Sequence, residues 1–228
     1  MADDGPLGVR AAKDELNRQF ATIGQALANA HRVEMLDLLA QGERSVEVLA
    51  ARARITLKLA SAHLQVLRRA GLVVARREGT RVVYRLGGDD VLILLSAVRV
   101  AATARIAEAE RAARAFATGP AEVLGREALL ERVRLGEAVV VDLRPAEEYE
   151  AGHLPGALSI PLEELEARLA ELPDDIEIVA YCRGPFCALA PVAVERLREA
   201  GLRARRLEDG YPEWRLAGLP IVVGTLPA

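Results

Sequence analysis

The stretch TLKLASAHLQVLRRAGLVVARREGTRVVYR, residues 56–85, decides how the first half of the chain is read. Thr56 precedes an apolar-periodic run and can accept a hydrogen bond from a first-turn amide, which predicts a helix over Leu57–Ala70. Gly71 supplies the left-handed residue at its end. Leu72-Val73-Val74-Ala75 and Arg81-Val82-Val83-Tyr84-Arg85 read as strands around a turn at Glu78-Gly79-Thr80. On the helix, Ala60, Leu64 and Leu67 share one face, while Lys58, Ser61, Ala62, Gln65 and Arg69 share another. A helix that packs by one side and offers Lys, Ser and Gln on the other fits a major groove, where amide and basic groups meet base edges. Arg76, Arg77, Arg81 and Arg85 on the hairpin suit phosphates beside that groove, contacts that position without reading sequence. Singly, each of these charges reads as an ordinary solvated residue. Their order after a helix, a turn and a second helix points to a double-stranded DNA operator.

Upstream, Leu16, Phe20, Ile23 and Leu27 place one apolar stripe on a first helix. A short helix is predicted over Val33–Ala40, stopping at Gln41-Gly42, and Ser45 can cap a third through about Arg52. Downstream, Asp89 or Asp90 starts one long helix with the stripe Val91, Leu95, Val98, Ala102, Ala109, Ala113 and Phe116. Thr118-Gly119-Pro120 carries the break expected of a domain boundary. Beyond it the pattern changes. Val139–Leu143, Ile176–Tyr181 and Arg203–Leu207 read as strands, with helices near Leu162–Leu172 and Leu189–Ala200. Alternation of this kind predicts a parallel sheet with right-handed crossovers and a site beyond the carboxyl ends of its strands. The expected organisation is residues 1–118 for DNA binding and dimerisation, a linker at 119–123, and an α/β domain over 124–228.

Composition agrees with two different partners. The 228 residues are 51% hydrophobic and 28% charged, enough for packed cores, with a net charge of −3. Residues 1–118 hold 18 Lys+Arg against 13 Asp+Glu, a net of +5, and residues 119–228 hold 12 against 20, a net of −8. Only the first half is then suited to a polyanion. The longest apolar-rich stretch, Val91–Ala104, is too short for a bilayer and contains Arg99, and the acidic start lacks a secretory signal's bases, so a cytoplasmic protein with no membrane partner is expected.

Both cysteines, Cys182 and Cys187, fall in the second half. Cys182 follows a predicted strand, and a helix begins at about Ala188. A thiol so placed has two reasons for a low pKa: the helix N-terminus, and loop N–H groups that can converge on the thiolate. Arg183 adds a charge and Gly184 lets backbone approach closely. Such a thiolate is a nucleophile able to accept sulfur. The plainer reading is a cysteine at a strand end.

Residues from about Ala26 to Leu86 resemble an ArsR/SmtB-family winged-helix repressor. The segments that carry the likeness are Ala26-Leu27-Ala28-Asn29-Ala30-His31-Arg32, Ser61–Val73, and Arg76–Tyr84 as the wing. The resemblance implies a homodimer built from the first and last helices and bound to an imperfect palindrome. The two apolar stripes fit that role, and an intramolecular helix pair as well. Many relatives sense metals through cysteines on the third helix or at the ends. Residues 1–118 have none, and His31 and His63 alone do not make a zinc site, so no metal and no cofactor is expected. Leu59 and Ala62 stand where relatives commonly place polar readers.

Residues from about 124 to 221 resemble a single rhodanese domain. The likeness rests on Val141-Asp142-Leu143-Arg144, on Glu147-Glu148-Tyr149 with Gly152-His153-Leu154-Pro155-Gly156-Ala157, on Tyr181-Cys182-Arg183, and on Leu207-Glu208-Asp209-Gly210-Tyr211-Pro212-Glu213-Trp214. It implies that Cys182 cycles through a persulfide, taking sulfane sulfur from a small donor such as thiosulfate or a persulfide. Arg183, Gly184, Pro185, Phe186 and Cys187 would then form an anion cradle. Asp142, Arg144 and His153 are assigned to support of the fold. The commonest rhodanese loop has a basic residue at its sixth position, and here that position is Cys187. It can resolve a Cys182 persulfide or sulfenic acid into a disulfide. Phosphatase relatives end a longer loop in Arg, and the corresponding Ala188 cannot clamp a phosphate. Three functions follow: a DNA-binding regulator whose sensor is the sulfurtransferase domain, a thiosulfate sulfurtransferase in which the winged helix serves dimerisation or localisation, or a repressor whose second domain is catalytically idle and acts as a binding module.

Overall fold

The structure is a computed structural model, and it describes residues 6–117 and 123–224. The Thr118-Gly119-Pro120 break and residues 119–122 of the expected linker lie outside that range. The chain divides into two compact units, Met1–Val91 and Leu92–Ala228.

The first unit opens with α1 (Pro6–Leu27) and α2 (Ala30–Ala40). α2 begins three residues before the sequence expectation because Asn29 caps it, its side chain accepting from the Arg32 N–H at 3.3 Å. β1 (Arg44–Ser45) leads into α3 (Val46–Arg52), and Ser45 caps that helix through the Val48 N–H. α4 (Leu57–Arg69) is capped by Thr56 through the Leu59 N–H, and Gly71 follows at φ +74. β2 (Val73–Glu78) and β3 (Arg81–Leu86) form the hairpin, and β1 adds to it in the antiparallel order β1-β3-β2. Ala60, Leu64 and Leu67 of α4 are buried with Met35, Leu36, Leu39 and Leu49. The predicted apolar face is therefore the packed one.

α5 (Asp89–Arg105) and α6 (Ala107–Ala117) replace the single long helix expected there. Helical bonding persists at the interruption, the Ile106 N–H donating to the Ala102 carbonyl at 2.8 Å. Thr103 Oγ1 back-bonds to the Arg99 carbonyl at 2.9 Å and to that of Val100 at 3.2 Å, an arrangement that bends helices. The side chain of Phe116, last of the predicted stripe, lies outside the described residues.

The second unit continues with β4 (Val123–Leu124), α7 (Arg126–Arg134), β5 (Ala138–Asp142), α8 (Ala146–Ala151) and β6 (Leu158–Ser159). Then come β7 (Glu177–Tyr181), α9 (Leu189–Glu199), β8 (Ala204–Leu207) and α10 (Tyr211–Leu216). The five strands are parallel in the order β4-β8-β7-β5-β6. The helix expected near Leu162–Leu172 is instead a 3-10 helix over Glu166–Glu171 preceded by turns. Pro161 and Pro173 bound this segment, and its bonds are of the i to i+3 kind, such as Leu172 N–H to the Leu169 carbonyl at 3.1 Å.

Strand alternation sorts the core into two layers. Ile178, Ala180 and Cys182 pack on one face with Val141, Leu165, Ala193, Val194 and Leu197. Val179 and Tyr181 pack on the other with Leu124, Leu129, Tyr149, Leu207, Tyr211 and Trp214. The same period that buries Tyr181 on one side thus turns Cys182 toward the α9 side.

Candidate functional site

On the first unit, Lys58, Ala62, Gln65 and Arg69 of α4 are exposed and Ser61 is half-buried, so the face predicted for base edges is open to solvent. Arg76, Arg77 and Arg81 are exposed on the hairpin. Arg76 is tied down, its Nη2 lying 2.8 Å from Glu43 and its Nη1 3.3 Å from Glu78. A phosphate would have to compete with those carboxylates for it. His31 and His63 come together, ring centroids 5.9 Å apart, which their positions 32 residues apart do not reveal. Burial, then the charges of Arg32 and His31, hold His63 below the ordinary histidine value. Among the described residues no group of three or more His, Cys, Asp or Glu could hold a metal, nor is any helix there long and apolar enough to cross a membrane.

On the second unit, the β5 and β7 strands lie side by side while the chain leaves them in opposite directions across the sheet. That places a crevice beyond their carboxyl ends, the usual location for a ligand in such sheets. The loop 182–187 leaves β7 there. Cys182 and Cys187 form a disulfide with Cα atoms 6.3 Å apart, a spacing within the ordinary range. Cys182 is 2% exposed, and Cys187 is half-buried. In this state the thiol predicted to sit ionised among amide N–H groups is not a thiolate. The Cys187 N–H is used within the loop, donating to the Gly184 carbonyl at 3.1 Å. The helix-dipole argument therefore belongs to the reduced form.

Arg183 also differs from its expected role beside the thiolate. Its guanidinium makes a two-pronged bridge to Glu148, Nη2 to Oε1 at 2.7 Å and Nε to Oε2 at 2.9 Å. Glu148 lies on α8 and is itself buried, so Arg183 ties the loop after β7 to the helix after β5.

Two glycines make the loop's tight seat. Gly184 takes φ +151, and a Cβ there would crowd the Glu213 carboxylate at 3.3 Å. A Cβ on Gly210 would overlap the Gly184 amide. The Tyr211 N–H donates to the Cys182 carbonyl at 3.2 Å, so the segment opening α10 serves as the floor under the loop. Sequence reasoning matched that segment to a motif without assigning Glu213 a place.

Burial pushes the Glu213 carboxyl above the ordinary glutamate value, against opposing hydrogen bonds from its own N–H and that of Gly210. A carboxyl raised in this way favours the folded state when protonated, and that advantage is lost as pH rises through the raised value. Glu213→Gln keeps an oxygen for the Gly210 N–H and removes the charge. Its melting temperature should exceed that of the parent at pH 7–8, and calorimetry at pH 4 should show the two converging.

Asp142, Arg144 and His153 form the buried support expected of them. Arg144 and Asp142 are both fully buried and paired at 2.6 Å. His153 Nδ1 lies 2.8 Å from the Tyr149 carbonyl, and its ring stacks on Tyr149 with centroids 3.6 Å apart.

Comparison with known proteins agrees with both halves. Residues 29–74 match the family described as bacterial regulatory protein, arsR family, and residues 126–217 match the rhodanese-like domain. A sulfurtransferase of Allochromatium vinosum is 36% identical over 98 residues, covering 42% of this chain and 90% of that protein. The solution structure of a homodimeric winged helix-turn-helix DNA-binding domain from Mycobacterium bovis, a possible ArsR-family transcriptional regulator, is 47% identical. It covers 46% of this chain and 94% of its own, with a TM-score of 0.41. An HTH-type transcriptional regulator of Mycobacterium tuberculosis is 51% identical over 212 residues, 93% of this chain and 94% of that one. Likeness at that level across nearly the full length of both chains leaves one assignment: this chain belongs to the ArsR family of transcriptional regulators, in the form that carries a C-terminal rhodanese-like domain.

Proposed function

We propose that this regulator senses sulfane sulfur through Cys182 and reports it to DNA. One observation carries the reading: both cysteines of the chain sit in one loop at the crevice of the rhodanese-like fold, close enough to be joined. In the reduced protein, the Cys182 thiolate attacks the outer sulfur of a donor. From thiosulfate it takes that sulfur and sulfite leaves; from an organic persulfide, a thiolate leaves. Cys182 then carries a persulfide. The Cys187 thiolate attacks the Cys182 Sγ, the sulfur–sulfur bond of the persulfide breaks, and hydrosulfide departs. The product is the disulfide seen here, formed with no oxidant beyond the sulfane sulfur itself.

DNA binding would use Lys58, Ser61, Ala62, Gln65 and Arg69 of α4 in the major groove, with Arg77 and Arg81 on phosphates. Support for a homodimer comes from large apolar side chains left in water: Phe20 on α1 is 64% exposed and Val100 on α5 is 64% exposed. A second copy of the chain would cover them. The cysteine state alters operator affinity only through a difference in affinity between two states of that dimer.

The test is a band-shift titration of the full chain on operator fragments selected from the genome, with and without a persulfide donor. The parent should change affinity by about 5- to 150-fold, and Cys182→Ser should not respond. Unchanged affinity with Cys182 shown by mass spectrometry to be modified would remove the sensor claim. Rapid thiosulfate turnover lost in Cys182→Ser, together with indifferent DNA binding, would favour the enzyme reading.

A further inference from the structure

α5 carries two different faces. Ile93, Ala97, Val100 and Ala104 follow one another at helical spacing, and all four are exposed. This is the stripe that a second copy of the chain would cover. Leu92, Leu95, Arg99 and Thr103 form another stripe. Leu92 and Leu95 are buried, and Arg99 and Thr103 are half-buried. Within the second unit, Thr103 lines one cleft together with Pro185 and Phe186, the two residues before Cys187. Arg99 lies one helical turn earlier. The inner stripe of α5 is thus placed beside the cysteine loop.

Glu213 stands at the same loop. Its carboxylate accepts from the Gly210 N–H at 3.1 Å and lies against Gly184, where a Cβ would come within 3.3 Å of Oε2. Gly184 in turn is pressed on Gly210, whose Cβ, if it had one, would overlap the Gly184 amide. Packing this close transmits a displacement instead of absorbing it. Burial raises the Glu213 carboxyl, and the opposing groups are its own N–H, that of Gly210 and the charge of Arg99, while Asp209 adds to the rise. The cation that acts on this carboxyl is therefore supplied by α5.

We propose that Arg99 is a coupling residue: through Glu213 and Gly184 it ties the cysteine loop to α5, so that opening or closing the Cys182–Cys187 bridge shifts the face by which α5 meets a second copy of the chain. The inference rests on the sulfur-sensing reading and names the path by which that site regulates DNA binding. The bridge fixes both ends of a loop whose middle, Gly184, rests on the Glu213 carboxylate. Parting the cysteines releases that constraint. α5 runs from Asp89 to Arg105 as one helix, so a displacement at Arg99 reaches Ile93 and Val100 on the exposed stripe. Coupling requires one packed element with two arrangements, each favoured by one cysteine state.

The experiment measures operator affinity of the full chain with the two cysteines reduced and with the bridge closed. It uses the parent, Arg99→Gln, Arg99→Lys and Glu213→Gln. The two states of the parent should differ by about 5- to 150-fold. Arg99→Gln should bring that ratio toward one while its bridge still closes under cysteine persulfide at the parent's rate. Arg99→Lys keeps a cation and should retain the ratio. Glu213→Gln should lose it, and serves as the second variant should Arg99→Gln fold poorly. Linkage supplies a reciprocal readout in buffers of reduced and oxidised glutathione. Operator DNA should shift the parent's dithiol–disulfide equilibrium by the same factor as closure shifts operator affinity, and should leave that of Arg99→Gln in place. A ratio preserved in both Arg99→Gln and Glu213→Gln, or lost as fully in Arg99→Lys as in Arg99→Gln, overturns the coupling and leaves the sensing reading standing. A parent whose two cysteine states bind operator alike overturns both.

Discussion

Asp142→Asn is expected to destabilise the second unit by about 3–5 kcal/mol, the usual cost of leaving one member of a buried ion pair without its counter-charge. Arg144 is fully buried. Asp142 accepts from Arg144 Nε at 2.9 Å and from Arg144 Nη2 at 2.6 Å. It also receives a short hydrogen bond from the Tyr181 hydroxyl. Arg144 further donates to the Gly152 carbonyl at 2.7 Å, and its guanidinium lies over the Tyr211 ring, 4.5 Å from the centroid. The network therefore joins β5 and β7 to the turn after α8 and to α10, the floor of the cysteine loop. Removing the anion leaves a guanidinium in a low-dielectric interior without the carboxylate that faces it most closely, the charge of Glu148 acting on it more weakly. Trp214, the chain's one tryptophan, is buried in this unit and reports on it selectively. Its urea midpoint should fall by about 1 M or more. Arg144→Met should show a loss of the same order, and the double replacement should cost clearly less than the two singles added, since it buries no lone charge. Additive losses would mean that the pair is not the unit of stabilisation.

What the sequence made legible was local. Thr56 and Ser45 cap the helices assigned to them, Gly71 ends α4 in the left-handed region, and the buried face of α4 is the predicted one. Each of those signals is carried by residues within a turn or two of one another. The apolar run Ile176–Tyr181 placed Cys182 just after a strand. The Asn29 cap is a signal of the same reach, masked because Ala30–Arg32 has little apolar periodicity. The break at Ile106 was hidden because a threonine that bends a helix looks like one that merely sits in it. Side-chain partnerships across the fold were not legible at all. Arg183 and Glu148 are 35 positions apart, and only the adjacency of β5 and β7 brings them together. His31 meets His63 across α2 and α4 for the same kind of reason. The sequence raised the joining of Cys182 to Cys187 as one option, because a loop of that length allows many backbone paths and only some bring the Cα atoms to 6.3 Å.

Cys187→Ser should separate the capture of sulfur from its release. With Cys182 intact, the variant can still accept sulfur from a persulfide donor, because the attacking thiol, the α9 N-terminus and the Tyr211 N–H beneath the loop are all retained. It cannot take the next step. Serine is a far weaker nucleophile than a thiolate at neutral pH, so no group in the loop displaces hydrosulfide. Mass spectrometry should find the variant heavier by one sulfur atom and stable in that form. The parent, given the same donor, should end lighter by two hydrogens with no sulfur retained, and it should release one hydrosulfide per chain. The DNA readout then decides which species is the signal. If closure of the disulfide reshapes the loop, the persulfidated variant should bind its operator like the reduced parent, although its Cys182 is fully modified. If the persulfide itself is the signal, the variant should respond to donor as strongly as the parent and recover more slowly. Sulfur retained on the parent in place of a disulfide would show that Cys187 does not attack Cys182, and would assign the loop to storage of sulfur instead of its discharge.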